Sequence, residues 1–255
     1  MSATFKSTRL INGHSIEMRP AGVLEFVIGH RFGKINDGID EFFGLDNSQV
    51  RFALEYGLSN RINVGLGRSS FRKTLDSFIK YKIFRQSNTG SPISLVAFAS
   101  TAINTGPGAF LDNTRDNKTS HRFFYTYQFL AARKMNSNLS LQIMPTLVHR
   151  NIVPTPDDSN DILALGVGGR LKLTNRLALN AEYYHQITEN NADVFNAIAV
   201  GFDIETGGHV FQLHFTNARS MIEKGFITET EGDFGAGDIH FGFNISRVFN
   251  LKTPK

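Results

Sequence analysis

The chain has 255 residues, of which 41% are hydrophobic and 20% are charged, and this composition fits one folded domain rather than a disordered chain. It contains no cysteine, which excludes a disulfide framework, a thiolate metal site and a cysteine nucleophile. The net charge of +4 is spread along the sequence without a long run of like charges, so nucleic acid is not an expected partner.

The first 21 residues are largely polar and lack the apolar core of a signal peptide. An exported protein would therefore have lost its signal peptide ahead of Met1. We expect residues 1–21 to form a short periplasmic lead-in and residues 22–255 to form one barrel domain in the bacterial outer membrane.

Apolar and polar residues alternate with a period of two from residue 22 onward, and turn residues interrupt the alternation. No apolar stretch approaches the roughly 20 residues that a transmembrane helix requires. The pattern predicts about twelve strands, near residues 22–33, 48–57, 60–68, 73–85, 92–103, 120–133, 138–149, 161–173, 176–186, 193–204, 208–217 and 238–250.

One face of each predicted strand is apolar, and the other carries charges together with Gly, Ala, Ser and Asn. A soluble β-sandwich would show the same alternation, with its apolar side chains in the core. Small residues on the polar face favour a crowded interior over a surface in water. We therefore expect the apolar set to face lipid, including Leu163, Leu165, Leu171, Leu179, Phe211, Phe241 and Phe243.

The connections between the predicted strands alternate in length. Short turns such as LSNR and TNR alternate with long loops such as GKINDGIDEFFGLDNS and residues 218–237, although the short connection at 68–72 breaks the pattern. Short turns at one end and long loops at the other are typical of outer-membrane barrels, and closure removes the sheet edges that lipid does not tolerate. The sequence thus predicts an all-β fold, a closed antiparallel transmembrane up-and-down β-barrel.

Three segments carry a family resemblance: FVIGHRFG at 26–33, the stretch 42–86 that begins FFGLDNSQVRF, and GDIHFGFNISRVF at 237–249. In them the chain resembles an uncharacterised family of predicted outer-membrane β-barrel proteins from Bacteroidota-type bacteria. The resemblance implies an exported barrel and no particular activity. The last strand is also similar to the assembly signal of such barrels, with Phe249 as the aromatic residue, although six residues follow it.

The polar faces place many charges inside the predicted barrel. Strand directions put Glu25 and Glu55 near the periplasmic end, with Arg170 nearly across the barrel from Glu55. Buried charges in so narrow a space must pair or stay hydrated, because an unpaired buried charge is costly. This favours a constricted, partly plugged lumen. The predicted lumen-lining residues are Glu25, Arg31, Arg51, Glu55, Asp76, Lys80, Lys82, Arg170, Lys172, Glu182, Gln212, His214, His240 and Asn244.

Motifs for catalysis or cofactor binding are weak. The segment GLGRSSFRKT at 65–74 lacks the helix of a phosphate-binding loop, so glycines facing the lumen explain it better. No Gly-x-Ser-x-Gly elbow occurs, and no serine pairs convincingly with His30, which faces outward. His214 and His240 lie on neighbouring strands, but polar lumen histidines explain them better than a metal does. We therefore predict no enzyme activity, no catalytic residue, no cofactor and no metal site.

Two further patterns concern the ends of the barrel. The acidic loops at 38–47, 111–117 and 156–161 lack EF-hand spacing, so solvated loops explain them better than Ca²⁺ sites. Aromatic residues recur at strand ends and favour girdles at the two membrane interfaces. They include Phe32, Tyr56, Tyr81, Phe123 and Phe249.

The leading functional interpretation is a small passive channel for an unidentified small polar solute, in contact with outer-membrane lipid. The alternative is a structural or scaffolding barrel with a plugged lumen that binds an envelope protein through its extracellular loops. Loop 218–237 has enough apolar content for such a contact, in Met221, Ile222, Phe226 and Ile227. A membrane lipase-type enzyme and a soluble lipid-binding barrel are less favoured.

Overall fold

The computed structural model describes residues 3–106, 117–153, 155, 158–188, 193–206 and 209–251. Its strands are β1 (Val23–Lys34), β2 (Ser48–Gly57), β3 (Ile62–Ser69), β4 (Thr74–Phe84), β5 (Ser94–Asn104), β6 (Phe123–Lys134), β7 (Leu139–Arg150), β8 (Asp161–Lys172), β9 (Leu177–Gln186), β10 (Ala197–Thr206), β11 (His209–Thr216) and β12 (His240–Asn250). The helices are α1 (Glu223–Thr228) and four 3-10 segments, Ile35–Asp37, Ile39–Gly44, Phe71–Lys73 and Thr119–Arg122. Within the described ranges, no helix is long and apolar enough to cross a membrane.

The twelve strands form one closed antiparallel barrel in which each strand pairs with its neighbours in the chain. β1 closes the barrel by pairing with β12 as well as with β2. The predicted fold class is therefore confirmed, and the predicted strand ends differ from the observed ones by a few residues. The 3-10 turn Thr119–Arg122, for example, delays the start of β6.

Side chains on the strands alternate between the lumen and the outer surface, as a period of two requires. Of the predicted lipid-facing residues, Leu163, Leu165 and Leu171 are exposed, while the other four are partly covered by neighbours on the same outer face. Phe241, for instance, packs against the rings of Phe32 and Phe215. The outer surface is thus a continuous apolar band.

Glycines on the lumen face of β3 make room for larger side chains of the neighbouring strands. A Cβ at Gly65 would lie 2.2 Å from the ring of Phe78, and a Cβ at Gly67 would lie 2.3 Å from a guanidinium nitrogen of Arg51. The glycines of GLGRSS therefore serve packing inside the lumen, which agrees with their interpretation from sequence.

The first and last long loops are tied together by Asp238. Its carboxylate accepts hydrogen bonds from Asn36 Nδ2 (2.8 Å), Lys34 Nζ (3.0 Å) and the Asp233 N–H (3.1 Å). These bonds, that from Asn36 foremost, lower the pKa of Asp238 to about 2. The carboxylate therefore stays ionised at physiological pH, and the tie between the two loops persists.

Candidate functional site

The N-terminal segment lies inside the barrel instead of leading into it from outside. Residues 4–16 are buried except for Lys6. The segment turns back on itself, since the Leu10 N–H donates to the Gly13 carbonyl and the Ser15 N–H donates to the Thr8 carbonyl, both at 2.9 Å. We call residues 4–17 the inner hairpin.

The tip of the inner hairpin fits against a tyrosine of the wall. A Cβ at Gly13 would lie 2.0 Å from the hydroxyl oxygen of Tyr184, so this position accepts only glycine without displacement of the ring. Tyr184 is itself buried and belongs to the same apolar cluster as Leu10 and Ile16 of the hairpin. The hairpin is therefore packed as a part of the core.

A wall carboxylate binds the backbone of the hairpin tip. Glu182 on β9 accepts hydrogen bonds from the N–H groups of Ile11 (3.3 Å), Asn12 (2.7 Å) and Gly13 (3.2 Å). Both partners are buried, and hydrogen bonds to an ionised group are stronger than neutral ones. The N–H groups of the tip and the carboxylate of Glu182 thus satisfy each other's hydrogen-bonding capacity in a place where little water reaches them.

A wall lysine binds the two arms of the hairpin. Lys80 on β4 donates from Nζ to the carbonyls of Thr8 (3.2 Å), Ser15 (3.0 Å) and Glu17 (3.2 Å). The fully buried ammonium therefore holds both arms at once, and Lys80 is a lumen residue whose partners are backbone atoms.

Acidic wall residues pair with arginines of the N-terminal segment. Glu25 receives two hydrogen bonds from Arg19, at 2.6 and 2.7 Å, and a third from the Thr8 hydroxyl at 3.1 Å. Glu55 lies 3.9 Å from Arg9. The N-terminal segment thus neutralises the acidic side of the wall near the short-turn end.

A second segment enters the lumen from the long-loop end. In residues 218–230, which include α1, the side chains of Met221, Ile222, Phe226 and Ile227 are buried, and Phe226 packs on Tyr184 with ring centres 4.8 Å apart. The expectation that these four residues offer a contact to an envelope partner is therefore wrong, because the barrel interior already covers them. We call residues 218–230 the inner loop.

The inner hairpin and the inner loop meet and fill the lumen. Arg9 Nη1 donates to the Met221 carbonyl (3.3 Å), and His14 Nε2 lies 3.9 Å from Glu223. Two cavities beside this junction each measure about 10 Å³, which is room for about one water molecule. The lumen of this conformation is closed along the junction.

Two further wall arginines pair with carboxylates of nearby strands and not across the barrel, whereas Arg31 donates to Asn12 Oδ1 of the hairpin at 2.7 Å. Arg51 binds Asp76 at 2.5 and 3.0 Å, and Arg170 lies 3.5 Å from Asp203 and 2.9 Å from Glu205. Ion pairs therefore line the wall, while backbone segments occupy the middle.

The structure buries most of the predicted lumen residues. Lys82 and Lys172 are only half-buried, near the short-turn end, and Lys82 donates to the carbonyl of Asn60 in the turn before β3. The buried members of the set are Glu25, Arg31, Arg51, Glu55, Asp76, Lys80, Arg170, Glu182, Gln212, His214, His240 and Asn244.

The two lumen histidines do not converge on a common ligand. His240 Nδ1 is hydrogen-bonded to the Phe32 carbonyl at 2.9 Å, while His214 is buried and neither of its ring nitrogens has a hydrogen-bond partner among the described residues. In the described part of the chain, no three His, Asp or Glu residues are arranged to hold a metal. The acidic loops at 111–117 and 156–161 lie partly outside the described residues.

Sequence reasoning missed the inner hairpin, although a signal was present. Asn12-Gly13 is a turn dipeptide, and the apolar residues Leu10, Ile11 and Ile16 flank it. The apolar residues of loop 218–237 are predicted from sequence to contact an envelope protein, whereas they pack inside the lumen. Arg9 and Glu223 were missed because their partners Met221 and His14 are far away in the chain. Arg19 binds Glu25 only six residues away, and it was missed because residues 1–21 are predicted to lie outside the barrel.

We expect Lys80→Met to loosen the inner hairpin, because three backbone carbonyls lose one charged donor. Hydrogen bonds to charged groups contribute about 1.5–3 kcal/mol each. The readout is maleimide labelling of an Ile11→Cys probe, which is buried in a chain without native cysteine. Labelling should accelerate roughly tenfold or more. The matched control is Lys82→Met, and equal labelling rates in the two variants would contradict the role of Lys80.

Comparison with known proteins agrees with this architecture. A family model described as a membrane-bound β-barrel domain matches residues 5–249. Among solved structures, the NanC porin aligns with a TM-score of 0.54 at 9% identity, covering 90% of this chain and 100% of that one. The KdgM porin aligns with a TM-score of 0.51 at 6% identity, covering 90% and 99%. No curated protein matches the sequence. The chain belongs to the DUF5777 family of membrane-bound β-barrel domains and has the fold of outer-membrane porins.

Proposed function

We propose that the protein is a gated outer-membrane channel for small polar solutes, closed at rest by the inner hairpin where it meets the inner loop. The observation that carries the proposal is how the hairpin is attached. Its one β-bridge among the described residues joins Arg9 to His14 within the hairpin, and it meets the wall through wall side chains. It can therefore leave the lumen without breaking any strand pairing of the barrel.

The wall that the hairpin would uncover suits a water-filled passage. A twelve-stranded barrel is wider than the eight-stranded barrels that side chains alone fill. Withdrawal of the hairpin frees Lys80, Glu182, Gln142 and Gln212 from backbone partners. Because both signs of charge are exposed, the passage favours small polar solutes over ions of one sign.

A conformational lock tests the proposal. The Nδ2 atom of Asn12 and the Oγ1 atom of Thr216 lie 3.2 Å apart, so paired cysteines at these positions would tie the hairpin to β11. In planar bilayers we expect the reduced Asn12→Cys/Thr216→Cys variant to give ohmic current steps, oxidation to abolish them, and reductant to restore them.

The single Asn12→Cys variant is the matched control, because oxidant has nothing to join in it. If the full chain and the reduced variant are both silent while their folded barrels keep heat-modifiable mobility, the channel proposal is lost.

A scaffolding barrel is the second candidate, and a different loop favours it. Ile39, Phe42 and Phe43 in the first long loop are exposed, Ile39 by 77%. Phe42 and Phe43 also hold positive φ angles of 45° and 56°, which bulky residues rarely adopt. An exposed apolar loop in a strained conformation is a reasonable contact for an envelope protein.

A further inference from the structure

We propose that the lumen is a binding site for peptide backbone and accepts a hairpin from a separate polypeptide in place of its own N-terminal segment. The proposal rests on the proposed mobility of the inner hairpin. It assigns to the lumen a ligand class, short hairpin-forming peptides, in addition to the solutes that would pass through it.

The wall contacts the hairpin mainly through main-chain atoms. Lys80 donates to three carbonyls, and Glu182 accepts from three N–H groups. Gln142 both donates to the His14 carbonyl and accepts from the Ile16 N–H, each at 2.9 Å. Further backbone contacts come from Ser140, Gln212 and Asn244. Carbonyl and N–H groups occur in every polypeptide, so these contacts do not depend on the sequence of the ligand.

Side-chain contacts between hairpin and wall are fewer and lie at separate points. Thr8 donates to Glu25, Asn12 contacts Arg31 and Thr216, and Lys6 binds Glu205 at 2.8 Å. Arg9 also lies 3.9 Å from Glu55, and Glu17 binds Arg85 just after β4 at 2.9 Å. These contacts adjust the fit at five positions of the hairpin. The backbone contacts, in contrast, run from Thr4 to Glu17.

The shape of the lumen still limits which peptides fit. The tip requires glycine beside Tyr184, and apolar side chains at the positions of Phe5, Leu10 and Ile16 fill the apolar cluster. The ligand class is therefore a tight hairpin with glycine at its tip and apolar residues on its arms.

The experiment starts from the folded full chain. A site for a specific protease is inserted at the exposed Pro20, between the hairpin and β1, and the folded barrel is cleaved there in detergent. A fluorescently labelled synthetic peptide of residues 1–20 is then added in excess. We expect it to replace the resident segment saturably, as measured by fluorescence anisotropy.

Two altered peptides separate backbone recognition from side-chain recognition. N-methylation at Asn12 and Gly13 removes two N–H donors to Glu182 and should weaken competition roughly tenfold or more. N-methylation at Lys6, whose side chain and not its backbone meets the wall, is the control. A peptide with alanine at positions 6, 8 and 12 should compete better than the peptide methylated at Asn12 and Gly13.

Three results would overturn the proposal. The first is that the labelled peptide fails to bind after the resident segment has left, and the second is that the resident segment stays bound for days under excess peptide. The third is that the alanine peptide competes more weakly than the peptide methylated at Asn12 and Gly13. Because the assay measures binding and not current, its failure is distinguishable from failure of the channel proposal.

Discussion

Asp76→Ala should lower the free energy of unfolding by about 3–5 kcal/mol, the usual cost of leaving one partner of a buried ion pair alone. Arg51 and Asp76 form a two-bond pair, at 2.5 and 3.0 Å, and their side chains are only 3% and 6% exposed. Without the carboxylate, the guanidinium stays in a lumen that the inner loop closes off from bulk water.

The measurement is urea unfolding followed by the heat-modifiable band of the folded barrel, since the chain has no tryptophan. Ser77→Ala, one position along β4 on the outer face, is the control and should change little. The free energy of unfolding should fall much less in the double variant Arg51→Met/Asp76→Leu than in Asp76→Ala, because an apolar pair leaves no charge unpaired. An equal decrease in the free energy of unfolding in Asp76→Ala and Ser77→Ala would show that the Arg51–Asp76 pair makes no net contribution to stability.

Leu165→Arg should destabilise the barrel in a bilayer by about 2–4 kcal/mol, the cost of an arginine near the middle of the lipid-facing surface. Leu165 lies in the middle part of β8, is 39% exposed, and stands between Pro145 on β7 and His185 on β9. In a soluble protein the same exposed position would tolerate arginine with little loss.

Leu58→Arg serves as the control for the lipid-facing prediction. Leu58 lies in the turn after β2 and is 54% exposed, so arginine there can reach water and should cost about 0–1 kcal/mol. The readout is reversible urea unfolding from lipid vesicles. Similar costs at positions 58 and 165 would mean that the outer face of β8 is not in lipid.

The barrel was predictable because its signal is local. In β8, for example, Leu163, Leu165 and Leu171 alternate with smaller or charged residues, and this parity alone decides which side chains face outward. The same parity placed Glu182 and His214 in the lumen. Strand ends were less certain, because short 3-10 turns such as Thr119–Arg122 continue the apolar pattern beyond the sheet.

The contents of the lumen could not be predicted from parity. Alternation shows that Glu182 faces inward, but not that it binds the backbone of Asn12, 170 residues away. The partner of Lys80 is equally hidden, because backbone carbonyls carry no sequence signal. Parity therefore predicts a lumen partly plugged by ion pairs between wall residues, whereas two segments of the chain occupy that space.

The position of the inner hairpin ahead of β1 has a consequence for the order of folding. The side chains that hold it, such as Gln142 and Asn244, come much later, with Asn244 separated from Ile11 by 233 residues. The strand that follows the hairpin, β1, also forms the closing seam with β12. Packing of the interior and sealing of the wall therefore both wait for the last strand and form one late event. Contacts this distant in sequence make that event slow, so we expect the unsealed barrel, with its edge strands unpaired, to be the stage most open to aggregation.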